Sequence, residues 1–173
     1  MHEQGYPYFI TCSVVDWLPV FLESRYCDVI VDSLKYCREN KGLLIHGYVI
    51  MPTHMHAITS SANELSPIIR DFKSFTARAI KKLLVADNNN LLLWALSRAA
   101  EIEREIDEQS FWQNSFHPEM IYSREFFEQK MDYIHANPLR KGVVNEPEGW
   151  RYSSAAAYLG QEDIPLSIDH FDI

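Results

Sequence analysis

The sequence predicts an α+β fold of the ferredoxin-like (RRM-like) split βαβ type, in which an antiparallel sheet carries two helices on one face. Two observations predict it: the segments follow the order strand, helix, strand, strand, helix, and a helical insert, a short strand and a further helix come after them. Another α+β sandwich is the alternative. We expect a single domain, 1–173, with its core at about 6–160 and an acidic tail at 161–173.

The first half of the chain predicts one helix and three strands. Residues 6–15 are rich in β-branched and aromatic side chains, which favours a strand. In 22–40 the apolar residues recur every three to four positions, which indicates a helix, and Gly42 is a typical residue just beyond a helix end. The segments 43–51 and 54–59 predict a hairpin around a proline-containing turn.

The second half predicts three helices and a fourth strand. Segment 65–85 is amphipathic, and 91–108 is helical with a strongly acidic end. A short strand is expected at 119–122. The last helix is expected over 124–136, where Pro138 limits it because the residue before a proline avoids the α region.

Composition excludes several classes of protein. The chain has 173 residues, 47% of them hydrophobic, and no run of apolar residues long enough to span a membrane. Its N-terminus lacks the pattern of a secretory signal, and its three cysteines form no C-x-x-C, so we expect a protein of the reducing cytoplasm.

The net charge of −8 argues against a protein that coats nucleic acid without specificity. The charge is uneven, however, and 64–82 has a local excess of bases. On the predicted helix these bases lie opposite the apolar side and predict a track for phosphates, with a merely solvated surface as an equal alternative. The residues proposed for this track are Arg70, Lys73, Arg78 and Lys81.

Two groups of residues suit chemistry at a phosphate. His54 and His56 point to the same side of a strand and can bind one metal ion, although two surface histidines are the commoner meaning of this pattern. Lys130, Tyr133 and Asn137 share one side of the last helix, where a tyrosine is most often a packing residue.

Taken together, the two groups predict a single site. Two imidazoles and the Asn137 amide oxygen would hold Mg²⁺ or Mn²⁺ against a phosphate oxygen. Tyr133 would then attack the phosphate and conserve the phosphodiester bond as a phosphotyrosine. A hydrolase would need further carboxylates near the histidines, and none stands out. No residue stands out as general base either.

Four segments of the chain stand out as motifs. The two long ones are 47–56 (GYVIMPTHMH), which carries the histidines, and 129–144 (QKMDYIHANPLRKGVV), which carries the tyrosine. The shorter ones are Phe111-Trp112-Gln113 with Phe116-His117, and Trp150-Arg151-Tyr152-Ser153-Ser154 with Tyr158. Together they resemble the motifs of the single-tyrosine HUH transposases, and in particular of their REP-associated tyrosine transposase branch. The resemblance covers about 6–160.

The resemblance implies metal-dependent cleavage and strand transfer of single-stranded DNA at hairpin-bearing ends. It implies His54, His56 and Asn137 as metal ligands and Tyr133 as the nucleophile, which becomes linked to the 5′ phosphate and releases a 3′-OH. Lys130, Arg140 and Lys141 would lie near the DNA. Family members are commonly homodimers, and monomers occur.

The departures from the family pattern are limited. Thr53 stands where asparagine is commoner, and Lys141 replaces a common alanine. The insert 87–108 matches no motif, so it is a dimerisation helix, a hairpin-contacting helix or a surface helix. Two alternatives stay open for the whole chain. One is a domesticated or inactive binding protein on the same scaffold, and the other is a phosphodiesterase that uses water.

Overall fold

The computed structural model describes residues 6–102, 111–114 and 116–171. Its strands are β1 (Tyr8–Ser13), β2 (Leu43–Met51), β3 (His54–Ser61) and β4 (Glu119–Met120). Its α-helices are α1 (Ser24–Lys41), α2 (Leu65–Ala86), α3 (Asn90–Ile102), α4 (Arg124–Arg140) and α5 (Ala155–Tyr158).

The four strands form one antiparallel sheet in the order β2-β3-β1-β4. Strands β2 and β3 form a hairpin, and β1 lies between β3 and the short edge strand β4. This is the strand order of the ferredoxin-like fold, so the predicted fold class is confirmed.

The sheet is covered on both faces, by different helices. Alternate residues of β1, among them Ile10 and Cys12, point into the main core together with apolar residues of α1, α2 and α3. The residues between them point to the other face, where Phe9 joins a smaller core built with Met131 and Ile134 of α4. Of the long helices that the structure describes, only α4 therefore packs on the face opposite α1 and α2.

Most predicted elements are confirmed within one or two residues of their ends. The helix predicted at 91–108 is observed over Asn90–Ile102, and the rest of that prediction lies outside the described residues. The strand predicted at 119–122 is limited to its first two residues.

The predicted end of the last helix is wrong. Helix α4 continues through Pro138 to Arg140. A proline removes one helical hydrogen bond, but here it lies in the final turn, where few such bonds follow, and its ring is buried. The continuation keeps Asn137 on the same helix as Tyr133.

The segments that follow α4 cover the open edge of β2. The indole of Trp150 donates to the Ile50 carbonyl (2.8 Å), and Ile50 N–H donates to the Tyr152 carbonyl (2.8 Å). Tyr48 N–H donates to the Ser154 hydroxyl (3.0 Å). The motif noted at 150–154 thus pairs with a strand edge that would otherwise present unpaired backbone groups.

Part of the acidic tail is also packed. Leu166 is buried in the main core, and Asp169 forms an ion pair with Arg38 (2.6 Å) and accepts from Ile45 N–H (3.0 Å). None of the described helices combines the length and apolar character needed to cross a bilayer.

Candidate active site

His54 and His56 lie at the start of the central strand β3, on the sheet face that α4 covers. Their partners across the strand pair are Ser13 and Thr11 of β1. The alternation of side chains along β3 sends Met55 into the main core and keeps both imidazoles on one side, as the sequence predicts. Their ring centroids are 4.7 Å apart.

Each imidazole has its Nδ1 atom engaged by a threonine hydroxyl. Thr53 Oγ1 lies 2.9 Å from His54 Nδ1, and Thr11 Oγ1 lies 2.8 Å from His56 Nδ1. The Nε2 atom of His56 is buried and has no hydrogen-bond partner among the described residues. A buried nitrogen without a partner costs free energy, so a ligand is its natural complement.

Both histidines are neutral at physiological pH. Burial, followed by the positive charge of Lys141, lowers the pKa of His54 to about 4. Burial, followed by the charges of His54 and Lys130, lowers the pKa of His56 to about 3. Neutral imidazole is the form that binds a metal ion.

Helix α4 presents Tyr133 to this pair. The helix begins at Arg124, where the Ser123 hydroxyl accepts from Phe126 N–H (3.2 Å), and it packs on the sheet through Met131 and Ile134. The Tyr133 ring stands edge-on to His56, with 5.3 Å between centroids. The residue is 40% exposed, so an incoming phosphate can reach its phenol.

Asn137 follows Tyr133 by one helical turn and lies on the same side of α4. Tyr133 touches His56, and the charge of Lys141, one turn beyond Asn137, acts on His54. Asn137 lies between Tyr133 and Lys141 along the chain. Its side chain is buried, and its Oδ1 has no hydrogen-bond partner among the described residues.

These residues fit a divalent cation. Two buried acceptors without partners, His56 Nε2 and Asn137 Oδ1, come from the two elements that meet here. Within the part of the chain that the structure describes, no group of three His, Cys, Asp or Glu side chains could hold a metal ion. The Asn137 amide oxygen as a third metal ligand therefore stays a prediction.

The cations predicted near the tyrosine differ in their surroundings. Lys130 forms an ion pair with Glu119 (2.7 Å) and lies over the Phe9 ring at 4.3 Å. Arg140 and Lys141 are exposed at the end of α4. Binding of DNA by these residues stays a prediction.

The basic side of α2 lies away from the histidines, because α2 packs on the opposite face of the sheet. Arg70 contacts Asp71 (3.2 Å), and Lys73 donates to the Gln113 carbonyl (2.8 Å). Arg78 is exposed and Lys81 is half-buried. A phosphate track there stays a prediction, and it would bind DNA at a distance from Tyr133.

Three residues that the sequence did not single out border the site. Thr11 contacts His56, Phe9 stacks on His56 at 5.3 Å, and Trp17 stands edge-on to His54 at 5.5 Å. The pairing register of β1 with β3 would have revealed the first two, since Phe9 and Thr11 are on the histidine face. No local sequence pattern identifies Trp17 as a residue of this site.

The comparisons with known proteins concern the fold. No family model matches this chain, and no curated protein does. A solved structure of a REP-associated tyrosine transposase bound to a REP hairpin aligns with the whole of this chain and 92% of its own, with a TM-score of 0.66 and 20% identity. This chain therefore has the fold of that transposase.

A crystal structure of a protein from Deinococcus radiodurans, assigned as a transposase, matches more weakly. Its TM-score is 0.46 at 16% identity, and the match covers 78% of this chain and 95% of the other.

Proposed function

We propose that this protein is a single-tyrosine DNA transposase that cleaves single-stranded DNA beside a hairpin and transfers the strand through Tyr133. The main support for the proposal is that the Tyr133 ring contacts the His56 ring, with 5.3 Å between their centroids. In addition, His56 Nε2 and Asn137 Oδ1 are buried acceptors without partners among the described residues. A transposase bound to a hairpin shares the fold and supports this choice of substrate.

The proposed chemistry uses the exposed phenol as the nucleophile. Tyr133 loses its proton, its oxygen forms a bond to the scissile phosphorus, and the bond from phosphorus to the 3′ oxygen breaks. The 3′ oxygen takes up a proton and leaves as a 3′-OH. A later attack by another 3′-OH reverses these steps, so the number of phosphodiester bonds is conserved.

The neighbouring residues prepare the site for a phosphate. His54, His56 and Asn137 would hold Mg²⁺ or Mn²⁺, which polarises a phosphate oxygen and offsets its charge. Thr11 and Thr53 keep the imidazoles oriented through Nδ1. Arg140 and Lys141 add positive charge where α4 ends. A homodimer, as the family resemblance implies, or a monomer is compatible with this proposal.

The proposal is tested with a labelled hairpin carrying unpaired arms. The wild-type protein with Mn²⁺ should give an adduct that survives denaturation, and Tyr133→Phe and EDTA should each abolish it. Tyr36→Phe, an equally conservative change at an exposed tyrosine on α1, is the matched control and should leave the adduct in place.

The other outcomes separate the alternatives. Cleavage without an adduct that persists in Tyr133→Phe would indicate a phosphodiesterase that uses water. Hairpin binding without cleavage, unchanged by EDTA, would indicate a binding protein. Either result would contradict strand transfer through Tyr133.

A further inference from the structure

A row of ring contacts crosses the sheet face at the candidate site, and we call it the aromatic row. From Trp17 the contacts pass to His54 (5.5 Å), His56 (4.7 Å) and Phe9 (5.3 Å). Lys130 Nζ then lies over both Phe9 (4.3 Å) and Phe126 (5.2 Å), and Phe126 stacks on Tyr122 (5.4 Å). Tyr133 touches the middle of the row, at His56 and Phe9.

The two ends of the aromatic row are exposed and its middle is covered. Trp17 is 53% exposed and Tyr122 is 71% exposed, whereas Phe9 and both histidines are buried. The exposed ring of Trp17 borders the polar site through its contact with His54. The two exposed rings therefore stand on either side of Tyr133.

The loop that carries Trp17 is held in place rather than free. Asp16 and Trp17 both adopt the left-handed backbone region, with φ of 52° and 53°. Side chains rarely occupy this region unless their surroundings impose it. Hydrogen bonds from Val14 N–H to the Thr53 carbonyl (2.9 Å) and from Trp17 N–H to the Val14 carbonyl (3.0 Å) tie the loop to the turn before His54.

We propose that Trp17 and Tyr122 are stacking platforms for unpaired bases on the two sides of the bond that Tyr133 attacks. The inference rests on the proposed function and adds to it the path that the single-stranded DNA takes across the protein. Exposed aromatic rings bind bases through their faces, whatever the base, and a base in a duplex has no free face to offer. The platforms would therefore select single-stranded DNA over duplex, and Tyr133 would meet the phosphate between them.

The test measures binding without chemistry. The Tyr133→Phe protein is mixed with a fluorescein-labelled DNA hairpin that has unpaired thymidine arms, in EDTA, and anisotropy gives the affinity. Adding Trp17→Ala or Tyr122→Ala should weaken binding about 5-fold or more, since one stacked base is lost. Trp17→Phe should keep most of the affinity, because a ring remains.

Two exposed aromatic residues on the opposite layer provide matched controls. Trp94→Ala on α3 and Tyr36→Ala on α1 remove rings of the same kind and should leave the affinity within 2-fold of the parent. A blunt hairpin without arms should bind all variants alike. Circular dichroism of each variant identifies any loss of affinity that comes from unfolding.

A scan of single abasic sites along the arms locates the stacked bases. In the parent protein one position on each side should weaken binding when its base is removed, and Trp17→Ala should abolish the penalty at one of them. Equal affinity of Trp17→Ala and the parent, an unchanged abasic profile, or no binding of the armed hairpin would overturn the inference. If the stacking inference fails in this way, an adduct through Tyr133 in the wild type would still support the proposed function. If instead no adduct forms, the binding measurements would still test the stacking of bases on Trp17 and Tyr122.

Discussion

The hydroxyl of Thr11 lies 2.8 Å from Nδ1 of His56, across the pair of strands β1 and β3. The contact is between residues 45 positions apart, and the register that places Thr11 opposite His56 creates it. With Nδ1 engaged by the threonine, Nε2 is the nitrogen that remains for a ligand.

Removal of this hydroxyl should weaken metal binding without unfolding the protein. Thr11→Val keeps the shape of the side chain and frees the imidazole to rotate, so we expect Mn²⁺ affinity to fall about 10- to 100-fold. Titration calorimetry without DNA measures it. Thr59→Val is a matched control, because the buried Thr59 hydroxyl has no partner among the described residues. Equal Mn²⁺ affinity of Thr11→Val and wild type would contradict an orienting role.

Stability should fall as the pH drops below about 6.5. Burial lowers the pKa of His135 to about 4, and its Nε2 lies 2.9 Å from the Ser154 hydroxyl. The unfolded chain binds the proton first, so the stabilisation is complete above pH 6.5 and is lost progressively toward pH 4. Because His135 stays neutral in the folded protein, the free energy of unfolding should fall by up to about 2 kcal/mol between pH 7.5 and pH 5.

Urea unfolding in EDTA at the two pH values measures this effect. His135→Gln should reduce the difference between them, and His117→Gln, at an exposed position, should leave it unchanged. The same pH dependence in His135→Gln and wild type would contradict the assignment to His135.

Gly47 sets the distance between β2 and α4. A Cβ atom at this position would meet Met131 Sδ at 2.5 Å and Cε at 2.7 Å. Met131 can move its end but is buried in the core that seats α4, so Gly47→Ala should destabilise the protein by about 1–3 kcal/mol. Combined with Met131→Ala, the two changes should cost less than their sum in denaturant unfolding. Strict additivity would show that this contact does not limit the packing.

Ser154 joins the last segment of the chain to β2. Its hydroxyl accepts from Tyr48 N–H (3.0 Å) and contacts His135 (2.9 Å). Ser154→Ala leaves buried polar groups without these partners and should cost about 1–3 kcal/mol in the free energy of unfolding. Ser97→Ala on the exposed side of α3 should change it by less than about 0.5 kcal/mol. A loss no larger than the control's would show that Ser154 is dispensable.

Local patterns were enough to predict the elements and the two groups of candidate ligands. Strand β2 matches the predicted 43–51, since its β-branched and apolar run is bounded by Gly42 and a proline turn. The shared side of His54 and His56 follows from strand geometry alone, and that of Tyr133 and Asn137 from helix geometry.

Contacts between segments that are distant in the chain could not be predicted from the sequence. The role of Thr11 depends on strand register, and that of Trp17 on how its loop attaches to the turn before His54. The passage of α4 through Pro138 depends on its position in the last turn and on burial of the ring. Local preference alone favoured an earlier end.

The central claim is that Tyr133 becomes joined to DNA, and peptide mass spectrometry of the adduct tests it most directly. The protein is incubated with Mn²⁺ and an armed hairpin, digested with nuclease and protease, and the modified peptide is sequenced. The account predicts a 5′-nucleotide on the Tyr133 phenol. A nucleotide on any other residue, or cleaved DNA with every peptide unmodified, would contradict it.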